Sequence, residues 1–204
     1  MPDTIWLCIP VSDIVKSPKI TISKGSNVSV FYSLDRLRSF QPGMRIDLQE
    51  ASFPIVPIQG FTQQRFSSGV SRHGKIFALD AGAKVFNNAS SQCEVVFELY
   101  RRAHYPNRPS RFLSMFGCET VREAAYFRGQ SKCGIDVDIF EVHSSEGFHR
   151  ADMNLLNSNC PPIEMEFRAD LYWSGSTAEL FQGYKPFWEV VIPLPATIGE
   201  KVNE

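Results

Sequence analysis

The sequence predicts an α+β domain built on a mixed β-sheet, and three observations support this prediction. Two β-prone apolar runs, 28–32 and 187–192, lie near opposite ends of the chain. Between them, Ser91 and Glu94 have the spacing of a capping box and precede apolar residues at helical intervals, which predicts a helix over 92–103. A chain of 204 residues can also bury a core large enough to fold without disulfides or a metal.

The first half of the chain divides into an N-terminal extension and the start of the domain. Residues 1–27 are irregular in pattern and prolines limit the length of any element there. We assign them as an extension that precedes a domain over 28–204. Gln-Pro-Gly at 41–43 predicts a turn, and recurring Pro and Gly predict loops with short strands over 53–83.

The second half begins with a β-prone run at 111–116, which predicts a strand. A second capping-box pattern, Thr120 with Glu123, begins the next predicted helix, for which Gly129 is the expected C′ residue. A further strand is expected over 136–143.

Residues 163–172 fit two kinds of secondary structure. Their apolar residues alternate as in a strand, but Ile163, Phe167 and Leu171 also recur at helical spacing after a Pro-Pro pair. We favour the helix, followed by a loop at 174–176.

Composition limits the class of protein. A formal net charge of −1 and a pI near 6.4 argue against a generally basic nucleic-acid coat. No apolar run is long enough to span a membrane and no secretory leader is visible, so we expect a cytoplasmic protein without membrane contacts. The cysteines show no metal-ligand or C-x-x-C spacing, which predicts reduced thiols and no metal site. They are Cys8, Cys93, Cys118, Cys133 and Cys160.

Arginines are concentrated between positions 101 and 128, where only Glu119 and Glu123 oppose them. Forked guanidinium donors suit phosphate, so the cluster could hold a pyrophosphate or an RNA backbone. The alternative is a solvated helix face whose arginines cap carbonyl groups. Arg111 differs from the others because a charge inside an apolar segment needs a partner or a pocket. The six arginines are Arg101, Arg102, Arg108, Arg111, Arg122 and Arg128.

A second group of candidate residues lies toward the C-terminus. Glu189 is a lone carboxylate within an apolar strand, either at an exposed alternate position or facing a cleft where it could bind a ribose hydroxyl. Tyr172 and Trp173 could stack on a ring or pack in the core. Ser114 is a candidate small polar lining residue. Phosphate-loop, Rossmann, nucleophile-elbow and zinc-protease motifs do not occur.

The order of these segments resembles the ADP-ribosyltransferase superfamily, in particular an uncharacterised bacterial family with a Pro-Ser-Arg strand, a Tyr-Trp-x-Gly segment and a terminal Glu strand. The likeness covers roughly residues 28–200. The matching segments are Val30-Phe31-Tyr32-Ser33, Pro109-Ser110-Arg111-Phe112-Leu113-Ser114-Met115-Phe116, Tyr172-Trp173-Ser174-Gly175 and Trp188-Glu189-Val190-Val191.

The resemblance implies an ADP-ribosyltransferase-like split mixed β-sheet, with NAD in a cleft between two small sheets and helices at its flanks. NAD would be the substrate that donates ADP-ribose. The resemblance makes Glu189 the catalytic residue, which would bind the ribose 2′-hydroxyl and stabilise the developing cation. Arg111 would contact phosphate or the adenosine ribose. Ser114 and Phe116 would line the nicotinamide pocket.

The first strand departs from the superfamily pattern. Where relatives often place His or Arg to bind NAD, this chain has Ser33, whose hydroxyl reaches less far than an imidazole. Tyr32 or Arg111 would then take over part of the binding. Tyr172 and Trp173 complete the residues expected to bind NAD.

The resemblance also implies a macromolecular acceptor, protein or nucleic acid, facing the loop 174–186. A toxin or phage-defence effector with a cognate antitoxin or immunity protein fits this expectation. Two alternatives stay open at this point. One is a non-catalytic descendant that binds a nucleotide or a partner protein, and the other is a nucleic-acid-binding module that uses the basic cluster 101–128.

Overall fold

The computed structural model describes residues 28–80, 85–86, 89–130 and 136–202. The predicted extension 1–27 lies outside these residues. In chain order the elements are β1 Ser29–Leu34, β2 Arg45–Ile46, α1 Val56–Arg65, α2 Arg72–Gly74, a π-helical turn Lys75–Leu79, β3 Val85–Phe86, β4 Ala89–Ser90, α3 Ser91–His104, β5 Ser114–Gly117, α4 Val121–Gln130, β6 Ile139–Ser144, β7 His149–Asp152, α5 Pro162–Ser174, β8 Trp188–Pro193 and β9 Ala196–Val202.

Two small antiparallel sheets and the helices around them give an α+β arrangement. One sheet has the strand order β1-β6-β9-β2 and the other β5-β8-β7, while β3 and β4 form a separate hairpin. The α+β class is confirmed, but the expected mixed sheet is wrong, since every strand pair among the described residues is antiparallel. The helices between strands join different sheets or antiparallel neighbours, so none forms the crossover that a parallel pair requires.

The two sheets meet where β1 runs beside β5. Tyr32 and Cys118 exchange both backbone hydrogen bonds, with N–O distances of 2.9 and 2.8 Å. The Ser33 hydroxyl donates to the Phe116 carbonyl at 2.8 Å. Gly117 lies between them, and a Cβ there would stand 2.9 Å from the Tyr32 carbonyl oxygen. We call this contact between β1 and β5 the seam. At the seam the two backbones touch directly, which leaves no room for a side chain at position 117.

The strand β8 separates two apolar cores. Val191 belongs to the cluster formed with α3 and α5, which contains Phe97 and Trp173. Val190 and Ile192 belong to the cluster on the opposite side, with residues of the four-stranded sheet. Because successive side chains of a strand point to opposite faces, Glu189 lies on the same face as Val191.

Several predicted elements are confirmed. The helix expected over 92–103 is α3, and the ambiguous segment 163–172 lies within α5. Gly175 ends α5 with φ of 79°, the left-handed conformation that favours glycine at this position. The strands expected over 28–32 and 187–192 match β1 and β8 within a residue or two.

The expectation of loops and short strands over 53–83 is wrong, because α1 occupies Val56–Arg65. Pro57 stands in the first turn of this helix, where the missing N–H has no intrahelical partner to lose. Gly60 faces open space, so it lowers helix propensity without breaking the helix. The described residues contain no helix that is long and apolar enough to cross a membrane.

The strand expected over 111–116 is wrong in its first half. Arg111–Leu113 forms a 3-10 turn, and β5 starts only at Ser114. The Ser110 hydroxyl accepts a hydrogen bond from the Phe112 N–H and so stabilises the turn. Gly129 lies inside α4 and is not its C′ residue. The strand expected over 136–143 is shorter at its start, since β6 begins at Ile139.

Candidate functional site

Glu189 lies in β8 on the face covered by α3 and α5, and its side chain is only 9% exposed. Its Oε1 atom accepts a hydrogen bond from Arg111 Nη1 at 2.5 Å and another from the Tyr172 hydroxyl at 2.8 Å. Tyr172 comes from α5 and Arg111 from the 3-10 turn before β5. The fold therefore brings together three of the residues that sequence analysis selected.

Arg111 is almost completely engaged by protein atoms. Its Nε donates to Glu94 Oε2 at 2.8 Å, and its Nη2 donates to Glu94 Oε1 at 3.0 Å. Its Nη1 donates to Glu189 and to the Tyr172 hydroxyl. A guanidinium has five N–H donors, so these four bonds leave one, on Nη2.

Glu94 is the second carboxylate of the site and is 1% exposed. Burial alone would raise the pKa of this carboxyl, but the charge of Arg111 and the nearby His73 outweigh burial and hold the pKa well below its ordinary value. His73 Nε2 lies 3.2 Å from Glu94 Oε1, but the two groups are not oriented to form a hydrogen bond, and no other described residue bonds to this nitrogen. Glu94 is therefore ionised at neutral pH.

The site holds two carboxylates and one guanidinium. Glu94 and Glu189 both accept hydrogen bonds from Arg111, and the His73 ring lies beside Glu94. Burial, supported by Glu189 and Glu94, outweighs the opposing charge of Arg111 and raises the pKa of the Tyr172 hydroxyl well above its ordinary value. This hydroxyl therefore stays protonated and donates to Glu189.

One oxygen of Glu189 is not used by the fold. Both bonds to Arg111 and Tyr172 end on Oε1, and no hydrogen bond from the described residues reaches Oε2. A carboxylate can accept at both oxygens. Glu189 is thus held rigidly through one atom while the other can accept from a ligand hydroxyl.

Two more of the predicted residues stand on the same face. The Phe116 ring lies against Arg111, with 4.5 Å from the guanidinium carbon to the ring centroid, and 4.9 Å from the His73 ring. Ser114 is two residues before it on β5 and its hydroxyl donates to the Ser110 carbonyl at 2.7 Å. Ser114 therefore stabilises the turn that carries Arg111.

The remaining predicted residues lie elsewhere. Trp173 is fully buried in the core, where its Nε1 donates to the Phe97 carbonyl at 2.8 Å. Tyr32 packs with the cluster beside α4. The hydroxyl of Ser33 is bound to the seam between the sheets. These three residues have structural partners, whereas Tyr172 contacts the ionised groups directly.

Sequence analysis missed Glu94 and His73 as site residues. Glu94 was interpreted as the acid of a capping box, but the N-cap of α3 is Ser90, whose hydroxyl accepts from the Cys93 N–H at 3.2 Å. The signal that could have found Glu94 is its place on the apolar face of α3, beside Cys93 and Phe97. No comparable signal marked His73, which reaches the site from α2.

The basic cluster 101–128 does not form one continuous surface. Arg101 and Arg102 bind Glu98, at 2.8 and 2.7 Å respectively, and Arg111 is buried in the site. Arg101, Arg102 and Arg111 are thus each bound to an acid within the described residues. Within the described ranges, no three His, Cys, Asp or Glu side chains are grouped so that they could hold a metal ion.

The loop before Glu189 is held by a single fully buried carboxylate, Asp152. Its Oδ1 accepts from the Phe187 N–H at 2.8 Å. Its Oδ2 accepts from the Thr177 hydroxyl at 2.9 Å and from the Tyr184 hydroxyl at 2.5 Å. Asp152 thus contacts the loop near its beginning and at the residue just before β8.

Fold and site together define an α+β protein in which a buried guanidinium holds two carboxylates, one with an unused oxygen. The family described as Protein of unknown function (DUF2441) matches residues 62–204, more than half of the chain. The chain belongs to this family. Glu94, Arg111 and Glu189 lie within the matched residues, whereas β1 precedes them. A search of curated proteins finds no match.

Proposed function

We propose that this protein is an NAD-dependent ADP-ribosyltransferase that transfers ADP-ribose to a macromolecular acceptor, protein or nucleic acid. One observation carries the proposal. Arg111 and Tyr172 hold Glu189 on β8 through Oε1, and no described residue donates a hydrogen bond to Oε2. A carboxylate preorganised in this way stabilises positive charge where it develops, because it needs no reorganisation during the reaction.

In the proposed reaction the bond between nicotinamide and ribose C1′ breaks, and its electron pair leaves with the nicotinamide, which becomes neutral. The ribose becomes an oxocarbenium ion. Glu189 Oε2 accepts a hydrogen bond from the ribose 2′-hydroxyl and stabilises this cation. A lone pair of the acceptor then forms the new bond to C1′, and the acceptor releases its proton to solvent. The Glu189 carboxylate favours the first, cation-forming step, because it interacts more strongly with the oxocarbenium ion than with the ground state.

The presence of two small sheets agrees with an ADP-ribosyltransferase-like fold in part. The resemblance implies a cleft between the sheets, but here β1 and β5 meet by backbone contact, and Glu189 faces α3 and α5 instead. The strand β8 pairs with β5, with Phe116 opposite Val191. The strand that carries Glu189 is therefore adjacent to the strand that carries Ser114 and Phe116, the residues expected to line a nicotinamide pocket.

The loop 174–187 is the proposed contact with the acceptor. It directly precedes Glu189, and Asp152 fixes its conformation. Phe181 in this loop is 62% exposed. A rigid loop with an exposed aromatic side chain, close to the reacting carboxylate, fits the recognition of a large partner. The pairing of three arginines with acids gives less support to binding of nucleic acid through the basic cluster.

The test measures labelling of a cell lysate with NAD radiolabelled in the ADP-ribose portion, together with nicotinamide release. We expect the wild-type chain to label an acceptor and Glu189→Gln to lower nicotinamide release by about 10²–10³-fold. Glu98→Gln is the matched control, since Glu98 is also a buried carboxylate bound to arginine. Protease and RNase digestion then assign the label to protein or RNA. No label and no nicotinamide release from the wild type with several lysates would refute the proposal.

A further inference from the structure

Arg111 has too few unpaired donors to bind a phosphate at two points. It is 5% exposed, and four of its five N–H groups are bound to Glu94, Glu189 and Tyr172. One N–H of Nη2 remains, so a two-point contact would require Arg111 to release a present partner, and a buried carboxylate without a partner is costly. The geometry therefore does not favour Arg111 as the main ligand of a phosphate or of the adenosine ribose.

The direction of its bonds indicates a different role. Glu94 takes Nε and Nη2 in a two-point contact, which fixes the plane of the guanidinium. Once that plane is fixed, Nη1 can point in one direction only, toward Glu189 Oε1. The Phe116 ring lies against the same guanidinium and limits movement out of the plane.

We propose that Glu94 positions the reacting carboxylate through Arg111: it fixes the guanidinium, which in turn holds Glu189 by Oε1 and directs Oε2 to the ligand. This inference rests on the proposed function. Glu94 and Arg111 are then positioning residues, and Glu189 is the catalytic residue. Because Glu94 contributes a second negative charge, the single positive charge of Arg111 is shared between Glu94 and Glu189.

The deciding measurement separates NAD affinity from the rate at saturating NAD, with each rate divided by the folded fraction of the sample. Misplacing a reacting group by about 1 Å can cost about 10²-fold in rate. We expect Glu94→Gln to lower the saturated rate of nicotinamide release by about 10- to 100-fold, with the Kd for NAD changed by less than about threefold. Glu94→Asp keeps the charge, and we expect an intermediate rate.

Two further variants complete the kinetic comparison. Arg111→Lys should also lower the saturated rate, because an ammonium cannot make the two-point contact. A rise of about tenfold or more in the Kd for NAD with the saturated rate kept would instead identify Arg111 as a phosphate ligand and overturn the inference. The matched control Glu98→Gln, one helical turn further along α3, should leave the saturated rate within about twofold of wild type.

A crystal structure of the Glu94→Gln variant tests the geometry without turnover. We expect the contact between Arg111 Nη1 and Glu189 Oε1, 2.5 Å in the wild type, to open. An unchanged contact would overturn the positioning role, whatever the kinetics show. A wild-type chain that releases no nicotinamide would instead refute the proposed function, so the two failures are distinguishable.

Discussion

The helix α3 carries two buried glutamate–arginine pairs one turn apart, and they are alike in geometry but opposite in charge balance. The site pair is Glu94 with Arg111, and the loop pair is Glu98 with Arg101; in both, Nε and Nη2 of the arginine bind the two oxygens of the carboxylate. Glu98 also binds Arg102, so one acid faces two arginines. In the site pair, one arginine faces two acids.

The loop pair has a structural explanation for each of its contacts. Arg101 Nη1 donates to the carbonyls of Pro106 and Arg108, at 3.2 and 2.9 Å, and Glu98 accepts from the Ser110 hydroxyl. These bonds hold the loop after α3. The site pair ends on Glu189, whose second oxygen accepts no hydrogen bond from the described residues. The candidate site is thus distinguished by two carboxylates on one guanidinium, and not by the presence of a buried pair.

Removing the arginine of each pair should give the largest difference in stability. Arg111→Ala leaves Glu94 and Glu189 buried without their common cation, and we expect a loss of about 3–5 kcal/mol in the free energy of unfolding. In Arg101→Ala, Glu98 keeps Arg102 and Ser110 as partners. We expect this variant to lose about 1.5–3 kcal/mol, the usual scale for hydrogen bonds to charged groups. Urea unfolding of both variants measures the difference, and equal losses would remove this distinction between the pairs.

The next largest difference should appear in the pH dependence of the free energy of unfolding. His149 Nε2 lies 2.8 Å from the Tyr172 carbonyl oxygen, and burial lowers the pKa of His149 from 6.5 to about 4. The unfolded chain takes up a proton at about pH 6.5 and the folded chain does not, so this contribution to stability is lost as the pH falls from about 6.5 to 4.

We expect His149→Gln to flatten that part of the stability curve, with a difference of roughly 2–3 kcal/mol between wild type and variant across the window. Glutamine can still donate to the Tyr172 carbonyl. Unfolding in urea at several pH values measures the difference. His104, at the end of α3 next to the loop pair, provides the control substitution to Gln, for which we expect the wild-type slope. A wild-type slope in His149→Gln would contradict the prediction.

Removing one tyrosine hydroxyl inside the site and one outside it should give the next largest difference. Tyr172→Phe removes a donor to the buried carboxylate of Glu189. We expect the free energy of unfolding to fall by about 1.5 kcal/mol and the rate of nicotinamide release to fall about tenfold. Tyr105→Phe removes a similar donor to Asp170, outside the site. The control should keep its rate of release. Equal rates in the two variants would show that the Tyr172 hydroxyl does not position Glu189.

The smallest effect is expected at the outer edge of the loop pair. The Arg102 side chain is 26% exposed and its bond to Glu98 is an i,i+4 pair on a helix. Arg102→Ala should cost only about 0.5 kcal/mol, and the cost should shrink at high salt. Thermal unfolding at low and high ionic strength provides the measurement. A loss comparable with that of Arg111→Ala would mean that the loop pair, too, depends on every charge.

Local patterns predicted the regular elements well and the charged contacts poorly. Helical spacing and proline placement were sufficient to predict α5, and a β-prone apolar run was sufficient to predict β8. Of the two capping boxes expected, the one at Thr120 and Glu123 is confirmed by reciprocal bonds of 3.1 and 3.2 Å. At Ser91 and Glu94 the same spacing misled, because the helix begins one residue earlier and directs Glu94 inward.

The site shows the limit of sequence reasoning more clearly. Arg111 and Glu189 were recognised because a charge in an apolar segment needs a partner. Their actual partners, Glu94 and Tyr172, are separated from them by many residues, and only the packing of α3 and α5 on one sheet face brings them together. Sequence alone therefore identified Arg111 and Glu189 as unusually placed charges, but it could not show that they bind each other.

Gly117 gives the seam between the sheets a mechanical consequence. A Cβ at this position would stand 2.9 Å from the Tyr32 carbonyl oxygen, so the two backbones are in direct contact. Side chains can rotate to absorb a small displacement, whereas backbone contacts cannot. A shift of β1 is therefore transmitted to β5, and from β5 through the strand pairing to β8 and Glu189. A displacement of the four-stranded sheet should therefore also move the Glu189 carboxylate.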